Sequence, residues 1–197
     1  MPCRVVSTGL TRTFWKTHFV QMADSDLQEL HSPLQTLEHM GEGTALAQQI
    51  FDMIGHSKFF ADFTREDVQK LTAFMQIYRA EQKQTLIREG DVDDYMLLII
   101  QGLVEIVKTD SHGNLQPMTT VGAGATLGEM SMIDGEARFA SCVALEPTTF
   151  AVLSRDSMVQ IILEEPGLGA KVLVKLVTLL SHRLRQTSAN LLQYMER

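Results

Sequence analysis

Gly128-Glu129 opens the stretch GEMSMIDGEAR, and Arg138 closes it ten residues after the glycine. Glycine permits a positive φ and lets backbone approach a ligand closely. The residues MSMI after Glu129 can form one helical turn, whose first N–H groups lack internal partners and attract an anion. Arg138 adds a planar fork of donors suited to phosphate. Glu129 would repel a phosphate, but its carboxylate can accept from a sugar hydroxyl. Donors for an anion beside an acceptor for a hydroxyl describe a site for a ribose phosphate.

Other chemistries find less support. The chain has 197 residues, 45% hydrophobic, with a net charge of −7. That balance argues against non-specific binding to nucleic acid or anionic membrane as the business of the whole surface. Cys3 and Cys142 are far apart and form no C-x-x-C, so neither a disulfide framework nor a zinc or iron–sulfur site is expected. A metal-dependent barrel enzyme would need clustered His and carboxylate ligands. The six His include no H-x-H pair, and only His112 falls among the strands. Neither G-x-S-x-G nor H-E-x-x-H occurs. No enzyme activity and no metal are expected. The N-terminus lacks a long apolar run with a cleavage site, and no run approaches eighteen apolar residues, so the expected location is the cytoplasm, with no membrane partner.

The elements that must position Glu129 and Arg138 are legible around them. Residues 1–43 read as an N-terminal extension, either a mobile arm or a packed, partly helical piece; Leu27, Leu30, Leu34 and Leu37 have helical spacing that Pro33 interrupts. A domain over 44–197 follows. Its first helix starts near Ala45, with Leu46, Ile50, Phe51 and Ile54 on one face and Gly55 as its stop. Thr64 with Asp67 three residues on suits a capping box, with Leu71 and Phe74 facing inward. From Gln76 the period becomes two, and turn residues close each short strand, at Glu89-Gly90-Asp91, Gln101-Gly102, His112-Gly113-Asn114, Gly122-Ala123-Gly124 and Glu146-Pro147. Strands so short point to a sandwich or barrel. After Ser154 the helical period returns in RDSMVQIILEE, and Pro166 starts a long helix over 167–197. Ala170, Leu173, Val177, Leu180, Leu184, Thr187, Leu191 and Tyr194 fall at alternating steps of three and four. That a/d seam predicts a parallel two-chain coiled coil and hence a homodimer.

With these residues in view, the sequence resembles the cyclic-nucleotide-binding domain family, of the catabolite activator protein and protein kinase A regulatory-subunit type. The resemblance covers roughly Ala45 to Arg197 and rests on REGDVDDYMLLIIQGLVEIV and GNLQPMTTVGAGATLGEMSMIDGEARFASCVA. It implies a mainly β fold with flanking helices: a double-stranded β-helix, or jelly-roll-like β-roll, of about eight short strands, with a long C-terminal dimerisation helix. It implies cyclic AMP or cyclic GMP as the ligand. Arg138 would pair with the cyclic phosphate and Glu129 would hold the ribose 2′-hydroxyl. The N–H groups of Met130 and Ser131, next to Gly128, would cradle phosphate, and Ala140 would allow close approach. Thr119 and Val121 would line the base. Thr187 and Ser188 are the implied lid over it, with Arg183 as the alternative.

The sequence departs from the family at Leu127, Ala137 and Phe139. Phe139 stands where a small or hydroxyl residue is usual; it can stack on a base or crowd the pocket. A receptor for another cyclic nucleotide or a cyclic dinucleotide, or a protein-interaction scaffold with a degenerate pocket in which Arg138 pairs with Glu129, is therefore the alternative reading. The chain stops at Arg197 without a helix-turn-helix, so direct reading of DNA is not expected. The output would pass to a protein effector the sequence does not name.

Overall fold

The strand Tyr95–Gln101 is buried on both faces along nearly its whole length. Its alternation divides the interior: Met96, Leu98 and Ile100 enter one apolar cluster, and Tyr95, Leu97 and Ile99 enter another. The first cluster lies beneath helices and the second between two sheets. The computed structural model describes residues 32–54, 59–60 and 62–196.

In chain order the strands are β1 (Glu38–Glu42), β2 (Gln76–Ala80), β3 (Thr85–Ile87), β4 (Tyr95–Gln101), β5 (Val104–Thr109), β6 (Leu115–Val121), β7 (Thr126–Leu127), β8 (Ser141–Ala144) and β9 (Thr148–Ser154). The α-helices are α1 (Ala47–Ile54), α2 (Arg65–Thr72), α3 (Glu129–Asp134), α4 (Arg155–Glu164) and α5 (Pro166–Met195). One sheet has the order β1-β2-β9-β4-β7 and the other β3-β8-β5-β6. All their pairings are antiparallel. Eight strands from Gln76 to Ser154 make the roll, as expected.

Local chemistry explains the element ends. Thr64 and Asp67 form the capping box: Asp67 N–H donates to Thr64 Oγ1 at 3.1 Å and Thr64 N–H to Asp67 Oδ2 at 2.8 Å. Ser154 Oγ accepts from Ser157 N–H at 3.1 Å and starts α4. Of the expected α1 face, Ile50 is buried and Leu46 and Phe51 are packed against the same cluster. The expected stop at Gly55 lies outside the described residues, as do Leu27 and Leu30.

Two features differ in detail from the sequence reading. Residues 33–36 form a 3-10 turn and β1 pairs with β2, so the sheet takes up residues inside the stretch read as an extension. Edge pairing is made by backbone, and EHMGE carries no alternation that would reveal it. Helix α5 begins at Pro166 as predicted, but its domain-facing stripe is Leu168, Val172 and Leu176, not the a/d seam. Those three residues repeat every four and enter the cluster beneath the helices. Gly169 lets α5 sit against α4: a Cβ there would fall 2.9 Å from Ile162 Cα.

Candidate functional site

Gly128 links β7 to α3 with φ 77°, a left-handed conformation that glycine takes without steric cost. Its lack of a side chain is also required by space. A Cβ would lie 2.6 Å from Arg138 Nη1 and 2.9 Å from Ile87 Cδ1. The turn therefore aims α3 and seats Arg138 at once. The first N–H groups of a helix have no intrahelical carbonyl to bond, and here they include those of Met130 and Ser131.

Arg138 is only 3% exposed. Its backbone is held by the acidic turn. Arg138 N–H donates to Asp91 O at 2.8 Å, and Gly90 N–H donates to Arg138 O at 2.9 Å. The guanidinium lies over the Tyr95 ring, 4.3 Å from its centroid. Nη1 donates to Gly128 O at 2.9 Å. Among the described residues, Nε and Nη2 have no hydrogen-bond partner. A buried guanidinium with two unused donors is costly unless an anion meets it. Asp93 is the nearby carboxyl: burial raises its pKa, and the charge of Arg138 acts in the opposite sense. Burial also pushes the Tyr95 hydroxyl up to about 12.

Glu129 is 1% exposed. Its Oε1 accepts from Arg183 Nη1 of α5, while Arg183 Nη2 donates to Thr126 O at 2.8 Å. Oε2 has no partner. The pair expected for a degenerate pocket, Arg138 with Glu129, is thus replaced by Arg183 with Glu129, because Arg138 is anchored on Gly128 and Tyr95. At its other end α3 is tied to α4. Arg155 Nη2 and Nε donate to Ser131 O and Met132 O at 2.7 and 2.8 Å. Helix α3 is therefore clasped by an arginine from each of the last two helices.

A cavity of about 560 Å³ opens between β-roll and α5. Gly128, Glu129, Met130, Ser131, Arg138, Phe139, Ala140, Thr119, Val121, Thr187 and Arg183 all line it. Ser188 does not; one residue further along α5 turns its side chain about 100° away from Thr187. Gln186 and Asn190 complete the α5 wall and were not singled out from the sequence. Their signal was available, since 183, 186, 187 and 190 share one helical face. Cys142 lines the floor, and burial pushes its thiol up to about 12, so it stays protonated. Among the described residues no group of three His, Cys, Asp or Glu could hold a metal, and no helix is long and apolar enough to cross a membrane.

A β-roll with a glycine–carboxylate turn facing a buried arginine defines the class of protein. The cyclic nucleotide-binding domain family matches residues 78–165. The crystal structure of a cyclic nucleotide-binding domain from Methylobacillus flagellatus is 44% identical, with a TM-score of 0.72 over 80% of this chain and 89% of that one. A cyclic AMP receptor protein from Thermus thermophilus is 29% identical over 135 residues, which is 68% of this chain and 61% of the receptor. A cGMP-dependent protein kinase from Caenorhabditis briggsae is 26% identical over 133 residues, 17% of its length. The chain belongs to the cyclic nucleotide-binding domain family. It spans about three fifths of the length of the Thermus receptor and far less of the kinase.

Proposed function

We propose that this domain is a regulatory receptor for cyclic AMP that signals through a homodimer of α5 to a protein partner. The observation that carries the reading is Arg138, a buried cation beside a cavity, with no hydrogen-bond partner for Nε and Nη2 among the described residues. A cyclic phosphate supplies the missing anion. The N–H groups of Met130 and Ser131 add donors at the start of α3, and the free Oε2 of Glu129 accepts the ribose hydroxyl. Adenine is favoured by the α5 wall. The side-chain amides of Gln186 and Asn190 make no hydrogen bond among the described residues, and an amide matches the donor–acceptor edge of adenine.

The same contacts supply a route for the signal. A sugar at Glu129 meets the carboxylate that Arg183 holds, and Arg155 carries any movement of α3 to α4. Helices α4 and α5 pack closely at Ile162 and Gly169, so they respond as a unit. The ligand shifts this arrangement by no more than its difference in affinity for the two states.

Calorimetry of the purified protein with cyclic AMP, cyclic GMP and cyclic dinucleotides tests the reading. Saturating cyclic AMP at a hundred times its dissociation constant should stabilise the fold by about 2.7 kcal/mol. Arg138→Ala should abolish the effect. Binding that survives Arg138→Ala, or no binding by any of these ligands, would reject it. The latter result would favour a scaffold whose pocket no longer takes a nucleotide.

A further inference from the structure

Phe139 follows the buried Arg138 directly, yet it is 56% exposed and lines the cavity. The ring stands at the mouth of the cavity, and it is not loose. Lys108 Nζ lies 4.5 Å from the ring centroid and donates to the carbonyl of Phe139 itself at 2.7 Å. The same ammonium pairs with Glu89 at 2.6 Å, and Glu89 Oε2 accepts from Thr109 N–H at 2.9 Å. The lysine covers one face of the ring and fixes the backbone beneath it. Met118 and Met130, both exposed, continue an apolar rim around the same mouth.

We propose that Phe139 is a stacking platform for the nucleobase, braced from behind by Lys108. The proposal rests on the reading of the cavity as a cyclic-nucleotide site. In the proposed site Arg138 meets the phosphate, and Phe139, the next residue, stands on the wall of the same cavity. A ring held in advance loses little freedom on binding, which favours affinity. The alternative role, a plug, fits poorly: the ring stands on the rim, and the cavity behind it keeps a volume typical of small-molecule sites. Every purine has a π-face, so stacking serves adenine and guanine alike. Phe139 therefore adds affinity for the base as a class, and discrimination is left to the amides of α5.

The test is titration calorimetry of the full chain with cyclic AMP and cyclic GMP, using wild type, Phe139→Ala, Phe139→Tyr and Arg138→Ala. Stacking on an aromatic side chain contributes roughly 5- to 100-fold per base. Phe139→Ala should weaken both ligands by that factor, with little change in their ratio. Phe139→Tyr should stay within about threefold of wild type, since it keeps the ring. A 2-aminopurine cyclic nucleotide should lose fluorescence on binding wild type and lose much less on binding Phe139→Ala. Unchanged or tighter binding by Phe139→Ala would overturn the platform, and ligand binding seen only in that variant would make Phe139 a plug. Loss of binding in Arg138→Ala with no effect of Phe139→Ala would retain the receptor and discard the platform. No dependence on Arg138 would discard both.

Discussion

Arg183 of α5 reaches across to Glu129 of α3, 54 residues earlier in the chain, and shares its guanidinium between that buried carboxylate and Thr126 O. The contact joins the helix proposed to carry the signal to the residue proposed to hold the sugar. Glu129 is almost fully buried while the Arg183 side chain is 43% exposed. Removing the arginine leaves a buried carboxylate without its cation; removing both charges does not.

Arg183→Ala should therefore destabilise the domain by about 1–2 kcal/mol, reduced from the fully buried case because Arg183 is partly solvated. Glu129→Gln should cost less, and the double variant should recover part of the loss. Denaturant melts of the four proteins give the coupling energy directly. Additive effects would show that the ion pair does not hold α5 to α3.

Gly128→Ala combines a left-handed backbone with a Cβ that meets Arg138 Nη1 at 2.6 Å. The backbone alone costs about 1–2 kcal/mol. The expected result is a loss of about 1–3 kcal/mol in a urea melt. Cyclic AMP affinity should fall as well, because the added Cβ must displace the Arg138 guanidinium, and titration calorimetry reads that loss separately from stability. A variant as stable as wild type would mean that the turn adapts freely.

Asp93 gives a pH prediction. Burial raises its folded pKa, with Arg138 opposing. A raised carboxyl binds its proton more tightly when folded, so its relative contribution is fully present below the unfolded value of about 3.9. It is lost as pH rises through the raised folded value. Thermal melts from pH 4 to pH 7 should show the difference, Asp93→Asn minus wild type, becoming more favourable to the variant as pH rises. A flat difference, or one of opposite slope, would contradict the burial argument.

The exposed seam of α5 makes an oligomer prediction. Leu184 is 69% and Leu191 59% exposed, whereas Leu168, Val172 and Leu176 are buried in their own domain. Leu184→Glu should convert a dimer to a monomer in sedimentation and remove the dependence of Tm on protein concentration. Circular dichroism should keep the first half of the helix, which the domain holds by itself. A wild-type monomer at high micromolar concentration would refute the dimer.

Much of this was local and could be read along the chain. The capping box at Thr64 and Asp67 needs only three residues of spacing. The left-handed turn at Gly128, the helix over MSMI and the position of Arg138 follow from glycine chemistry and a fixed interval. Thr119 and Val121 share a strand face and both reach the cavity, although Met118 beside them reaches its rim as well. Sequence alone determined these because turns, caps and alternation depend on near neighbours.

What the tertiary structure decided lies at long separation. Periodicity found the a/d seam on α5, but only packing showed that a different stripe binds the domain. Spacing offered Glu129 as a partner for Arg138, yet the fold gave that carboxylate to Arg183 and placed Arg138 on Tyr95. The clasp of Arg155 on α3 and the pairing of β1 with β2 left no mark on composition or period. Side chains that meet across the roll are chosen by how two sheets and two helices settle around shared cores, and no short window of sequence contains that geometry.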